Sequence, residues 1–111
     1  MITRYGLSPK TIDSIQGVLT SHREVEQAVL FGSRAKGNYR RGSDIDLALL
    51  GTTVNQQTLN RLYQELDELP IPYEFSLVPF AGITDRDVRA HVERVGIVFY
   101  NRDRPVPAIP R

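Results

Sequence analysis

Apolar residues recur along the chain in two rhythms, one helical and one alternating, separated by short runs of turn-forming residues. Ser8-Pro9 places a capping side chain before a proline at the first helical position. Ile12, Ile15, Val18 and Leu19 then fall at helical spacing, which predicts a first helix from residue 9 to about 21. Ala28-Val29-Leu30-Phe31 is a continuous apolar run of strand length that feeds Gly32-Ser33, with a short helix expected near Arg34. Residues 37 to 43, which include Gly37, Arg40, Arg41 and Gly42, read as a basic loop. Ile45, Leu47 and Leu49 alternate with Asp44, Asp46 and Ala48, the pattern of a strand with two faces that stops at Gly51. Asn55 can cap a helix whose apolar stripe is Leu59, Leu62, Tyr63, Leu66 and Leu69. Pro70-Ile71-Pro72 closes that helix and leads into a strand over Tyr73–Val78. Thr84 with Asp87 resembles a capping box, and Val88, Val92 and Val95 mark one face of a last helix. Ile97-Val98-Phe99-Tyr100 fits either a strand or the remnant of a helix. Helices alternating with strands in so short a chain predict an α/β (α+β) fold, a small sheet with helices mainly on one face. Residues 1–100 form the expected domain and 101–111, with Pro105, Pro107 and Pro110, a mobile tail.

Composition narrows the possibilities. At 111 residues and 41% hydrophobic, the chain supports a single core and no separate substrate domain. Cysteine is absent, which excludes disulfides and thiolate metal sites. No apolar run approaches the roughly 20 residues that span a bilayer, and the N-terminus lacks a signal-peptide pattern, so a cytoplasmic protein without membrane contact is expected. A net charge of +1 and the lack of interleaved aromatic and basic residues argue against a stand-alone nucleic-acid binder. His22 and His91 have no partner cluster and read as surface or boundary residues.

The chemistry concentrates in Gly32-Ser33-Arg34-Ala35-Lys36-Gly37 and Gly42-Ser43-Asp44-Ile45-Asp46-Leu47. On a strand, Asp44 and Asp46 point the same way, about 6.5–7 Å apart at the backbone. Two hard oxygen donors so placed suit Mg²⁺, which uses one or two protein carboxylates together with substrate phosphates. The Gly32-Ser33 turn, followed by a helix, aims free N–H groups at an anion. Together they describe a nucleoside triphosphate site. The plainer alternatives are an exposed pair at a strand end, an ordinary strand-to-helix turn, and a solvated basic loop at Arg34, Lys36, Arg40 and Arg41.

With these residues in hand, the chain resembles the DNA polymerase beta-like nucleotidyltransferase superfamily. That signature is a Gly-Ser followed about ten residues later by Asp-x-Asp, and Gly32, Ser33, Gly37, Ser43, Asp44, Asp46 and Leu47 fall on it. The small size points to the minimal nucleotidyltransferases found beside HEPN-domain partners. The resemblance implies a small mixed sheet and transfer of a nucleoside monophosphate, with ATP as donor, to a hydroxyl, pyrophosphate leaving. It further implies an antitoxin that modifies or masks a HEPN-type helical toxin, some members transferring AMP to a tyrosine of it. Asp44 and Asp46 would hold Mg²⁺ or Mn²⁺, and Gly32, Ser33 and Ser43 would contact the nucleotide. Arg34 and Lys36 would neutralise its charge, while Arg40 and Arg41 would face the partner or acceptor. Self-association is left open.

One position departs from the family pattern. Where the family carries a third carboxylate on a later strand, in a motif like Val-Asp-Leu-Val, this chain reads Tyr73-Glu74-Phe75-Ser76-Leu77-Val78, with Ser76 at that place. In the family that carboxylate helps hold the ion that activates the attacking hydroxyl, and a neutral serine is a poor substitute. Glu74 lies on the same strand face, but its extra methylene, about 1.5 Å, does not span the roughly 6.5–7 Å to Ser76. Two functions follow: an active nucleotidyltransferase, or a weakened one that works as a binding module by masking its partner.

Overall fold

The chain runs α1 (Pro9–Thr20), β1 (Gln27–Phe31), α2 (Gly32–Lys36), β2 (Ile45–Leu50), α3 (Gln56–Asp67), β3 (Phe75–Pro79), a 3₁₀ turn (Phe80–Gly82), α4 (Arg86–Val95) and β4 (Ile97–Asn101) in the computed structural model, which describes residues 3–108. The sheet order is β3-β2-β1-β4. β1 runs antiparallel to both β2 and β4, and β3 runs parallel to β2, so the sheet is mixed, as expected.

Capping chemistry explains where the helices begin. Ser8 Oγ accepts from the Thr11 N–H at 3.2 Å ahead of Pro9. Asn55 Oδ1 accepts from the Thr58 N–H at 3.0 Å, and Thr58 Oγ1 accepts the Asn55 N–H in return. These are the reciprocal bonds of a capping box, each of which satisfies a donor that the helix itself leaves open. The last helix starts one residue later than the Thr84 cap predicted. Asp85 caps it instead, its Oδ1 accepting from the N–H groups of Asp87 (2.8 Å) and Val88 (3.1 Å).

Two cores, one on each side of the sheet, decide which way the strand residues face. Ile12, Ile15 and Leu19 of α1 and Leu59, Leu62 and Leu66 of α3 pack against Ala28, Leu30, Ile45, Leu47, Leu49 and Leu77. The other face is covered more thinly, by Val92 of α4 and Ile83 against Ala48, Val29, Phe31 and Val78. The two longest helices therefore share one face while α4 lies across the other. Strand alternation then assigns Asp46 to the thinner side, with Ala48. Of the valine stripe on α4, only Val92 is buried, and Val88 stands in solvent at 43% exposure, because α4 covers the sheet with a narrow face.

Three further points correct or sharpen the reading. The 97–100 segment is a strand, paired to β1 through Leu30 and Ile97 at one end and Gln27 and Asn101 at the other. β3 begins at Phe75, later than Tyr73, and Tyr73 turns its ring to the Arg34 guanidinium at 4.9 Å. The proline-containing tail, expected to be mobile, is tied down over its described part: Gln16 Nε2 donates to Val106 O, Arg4 to Pro107 O and Arg102 to Arg23 O. Pro110 lies outside the described residues. Among the described residues no helix is long and apolar enough to cross a membrane.

The edge strand β3 is held by α3 through Tyr63, whose hydroxyl accepts the Leu77 N–H at 2.8 Å. Tyr63→Phe removes that acceptor and leaves the packing in place. It is expected to lower stability by about 1 kcal/mol, read as a shift of the urea midpoint at constant slope.

Candidate functional site

The register of the sheet builds the site. Phe31, the last residue of β1, lies opposite Asp46, and on the other side Asp46 pairs with Ser76 of β3. The chain leaves β1 at Gly32 with φ +72, a left-handed conformation that favours glycine. A methyl group on that α-carbon would collide with Asp46 Oδ2. Glycine is therefore required twice, for its backbone angle and for the close approach of the carboxylate.

Asp44 stands just before β2 and is exposed, whereas Asp46 is half-buried. Burial raises the Asp46 pKa above the usual carboxylate range, and the Asp44 charge raises it further. Arg34 and His91 oppose this in part. Two like charges in a partly dry setting make a site whose repulsion a cation relieves. Among the described residues no set of three His, Cys, Asp or Glu side chains could enclose a metal. Asp44 and Asp46 could offer a cation two carboxylates with an open remainder, as would suit a Mg²⁺ that takes its other ligands from phosphates and water. Ser76 sits in register beside Asp46, at the place where a further carboxylate would complete the set. Glu74 is exposed, ahead of β3, and lines a separate cleft with Tyr63 and Asp67.

The turn after β1 continues as the five-residue helix α2, whose cap residue Phe31 offers no side-chain bond to it. Gly37, with φ +90, ends the helix and donates its N–H to Ser33 O. Ser33 is half-buried at the start of this turn, and Lys36 is exposed at its end. Arg34 is placed differently from its expected role at the triphosphate. It is 2% exposed, its Nε and Nη2 donate to Ser43 O at 3.0 and 2.8 Å, and its Nη1 donates to Tyr5 O at 2.8 Å. Tyr39 and Tyr73 flank the guanidinium at 5.4 and 4.9 Å. Arg34 is therefore a brace that ties α2 to the approach of β2, with its donors turned to carbonyls. Ser43 serves the same loop, because its hydroxyl also accepts the Arg40 N–H at 2.8 Å. Arg40 and Arg41 remain exposed beside a cleft bounded by Tyr39 and Tyr73.

Both histidines have partners that the sequence did not reveal. His22 is buried, with Nε2 at 2.6 Å from Glu65 Oε2, and joins the end of α1 to α3. His91 reaches the site from α4, where its Nε2 accepts the Gly32 N–H at 3.4 Å and its ring meets Phe31 edge-on. Helical periodicity marks His91 as the neighbour of the buried Val92, but the partner Gly32 lies 59 residues away.

Comparisons with known proteins give the family and the fold. Residues 13–105 match the family model described as "Polymerase beta, Nucleotidyltransferase". A Haemophilus influenzae protein named "Probable protein adenylyltransferase MntA" is 30% identical over 77 residues, 68% of this chain and 67% of that protein. Among solved structures, a toxin-antitoxin with AMP-PNP superposes with a TM-score of 0.67 at 24% identity, covering 81% of this chain and 73% of its own. A mutant of the toxin-antitoxin MntA-HpeT gives 0.65 at 21% identity, covering 81% and 72%. At those identities the two structures show that the fold is shared.

Because folding raises the Asp46 pKa, it favours the protonated form, so ionisation of this group opposes the fold. Its contribution to stability is present in acid and is lost as pH rises through its own raised range. Asp46→Asn removes the charge and is expected to raise the thermal midpoint of the metal-free protein by a few degrees near neutral pH and by less in acid. Scanning fluorimetry across pH checks this, and a midpoint lowered at neutral pH contradicts it.

Proposed function

Given that the chain belongs to the polymerase beta nucleotidyltransferase family, we propose that it transfers a nucleoside monophosphate, AMP from ATP, to a hydroxyl of a HEPN-type toxin partner in a Mg²⁺-dependent reaction. The observation that carries this reading is the Asp46 carboxylate lying against the Gly32 α-carbon, with Asp44 close enough for its charge to act on it. A carboxylate pair and a turn whose cap residue, Phe31, offers no side-chain bond meet at one point, as a bound metal and its triphosphate require. The relative is named a probable protein adenylyltransferase, which supports ATP as donor. One structural neighbour is a toxin-antitoxin with AMP-PNP, which supports both an adenine nucleotide and a toxin partner.

In this reading Asp44 and Asp46 hold the divalent ion, which supplies charge neutralisation at the phosphates and polarises the reacting phosphorus. Ser33 presents its backbone N–H and its hydroxyl to the outer phosphates, while the Gly32 N–H, expected to join them, is turned to His91 Nε2. Lys36 adds positive charge from the exposed end of α2. Arg34 and Ser43 act one step back, fixing the turn and the loop before Asp44 in mutual position. Such fixed donors contribute by orientation, since they need no rearrangement as charge moves in the reaction. The acceptor hydroxyl approaches past Ser76, where no charged side chain takes its proton.

That last feature favours a second reading, a binding module that holds nucleotide and neutralises its partner by complex formation. Ser76 is neutral, so in this reading the half of the site that activates the acceptor lacks a ligand while Asp44, Asp46, Ser33 and Lys36 remain for the nucleotide. The two readings share the nucleotide site and differ in turnover.

Calorimetric titration is expected to show ATP binding only with Mg²⁺ or Mn²⁺, and none in Asp44→Asn/Asp46→Asn. Metal-independent binding that survives in the double variant rejects the site. Ser76→Asp is expected to raise transfer of labelled AMP to a co-purified partner by about tenfold or more, equivalent to ~1.4 kcal/mol in the barrier. Transfer by the wild type that Ser76→Asp leaves unchanged would show that Ser76 does not limit the reaction.

A further inference from the structure

We propose that His91 is a positioning residue for the Gly32-Ser33 turn, holding that turn against Asp46 through its Nε2 lone pair; this deepens the nucleotide-site reading and rests on it. A five-residue helix has little stability of its own, since most of its amides have no partner within it. α2 therefore depends on outside contacts, and the structure supplies two. At its middle residue Arg34 ties it to Ser43 and Tyr5. At its first residue the Gly32 N–H donates to His91 Nε2 at 3.4 Å, and Phe31 supplies no cap of its own.

The imidazole is held in place from two sides. Its ring lies edge-on to Phe31 at 6.3 Å between centroids and 81° between planes. The next residue, Val92, is 3% exposed and anchors α4 in the core that Phe31 packs against. A ring so placed accepts at Nε2 only with its proton on Nδ1, so the bonded form is the neutral Nδ1–H tautomer. One side chain from the last helix thus touches the bend that would carry the phosphates.

Loss of the brace lets Gly32 move relative to Asp46, and nucleotide binding must then reorder the turn. The effect belongs in nucleotide affinity and not in affinity for the metal alone, whose ligands are on β2 and before it. A purely structural His91 would act through its contact with Phe31, which a leucine of similar bulk preserves.

The test compares full-length wild type, His91→Leu and His91→Gln, the last placing an amide oxygen near the Nε2 position. His91→Leu is expected to weaken Mg²⁺·ATP binding by about tenfold, the range of one hydrogen bond, and His91→Gln by no more than about threefold. Mn²⁺ binding without nucleotide, followed by electron paramagnetic resonance, is expected to stay as in wild type in both. Hydrogen exchange at the Gly32 amide, measured without nucleotide, is expected to speed up in His91→Leu and not in His91→Gln. Nucleotide binding in His91→Leu equal to wild type overturns the inference, and so does a His91→Leu chain that fails to fold, which would mark His91 as a packing residue. Wild type that binds no nucleotide overturns the site reading itself. The brace is then judged by Gly32 exchange alone and falls if His91→Leu leaves it unchanged.

Discussion

The antiparallel pairing of Phe31 with Asp46 is the constraint on which the rest of this molecule depends. It brings the exit of β1 and the entry of β2 to one point on the sheet, so the bend after one strand faces the carboxylates that open the next. A shift of that pairing by a single residue would turn Asp46 toward the α1/α3 core and a leucine toward the turn. The apolar content of β2 forbids it, because Ile45, Leu47 and Leu49 are all almost completely buried on the other face. The hydrophobic pattern thus aims the acidic side chain, and Gly32 alone among residue types leaves room for it.

Position on the thinner face gives the site its electrostatics. α4 covers that side with one buried valine, so Asp46 is partly dried without being sealed off. Its pKa rises through burial and through Asp44, and the offsets come from Arg34 in the adjoining turn and His91 across from it. A protein selected for stability alone would not place two carboxylates there. Local tension of this kind marks sites that a ligand relieves. The chain belongs to the polymerase beta nucleotidyltransferase family, and in the proposed function Ser76 sets how far such chemistry would run here.

Much of this architecture was legible in the chain because local rules and tertiary packing agree. Ser8-Pro9, Asn55, and the alternation through 44–50 each lead to the observed element within a residue or two. The pairing of a glycine-serine bend with Asp-x-Asp was legible for the same reason, since both halves are contiguous motifs. What escaped was held by contacts between distant residues. Arg34 looked like a free cation in a basic loop, yet its bonds run to backbone carbonyls of Ser43 and Tyr5, which no side-chain pattern announces. His22 and His91 find Glu65 and Gly32 only after the helices are docked. Asp85 won the cap of α4 from Thr84 because a carboxylate there accepts two amides at once. The tail with its prolines has few large apolar residues, and its anchors are backbone carbonyls met by Gln16 and Arg4.

The central claim is that the carboxylates beside the glycine bend share one divalent ion with a nucleotide. Crystals grown with Mn²⁺ and a non-hydrolysable ATP analogue measure this directly through the anomalous signal of manganese. A manganese peak is expected within bonding distance of both Asp44 and Asp46, with the analogue's phosphates reaching from that ion to the Ser33 amide and hydroxyl in the bend. An analogue ordered elsewhere on the surface, or manganese bound with neither aspartate, would contradict it.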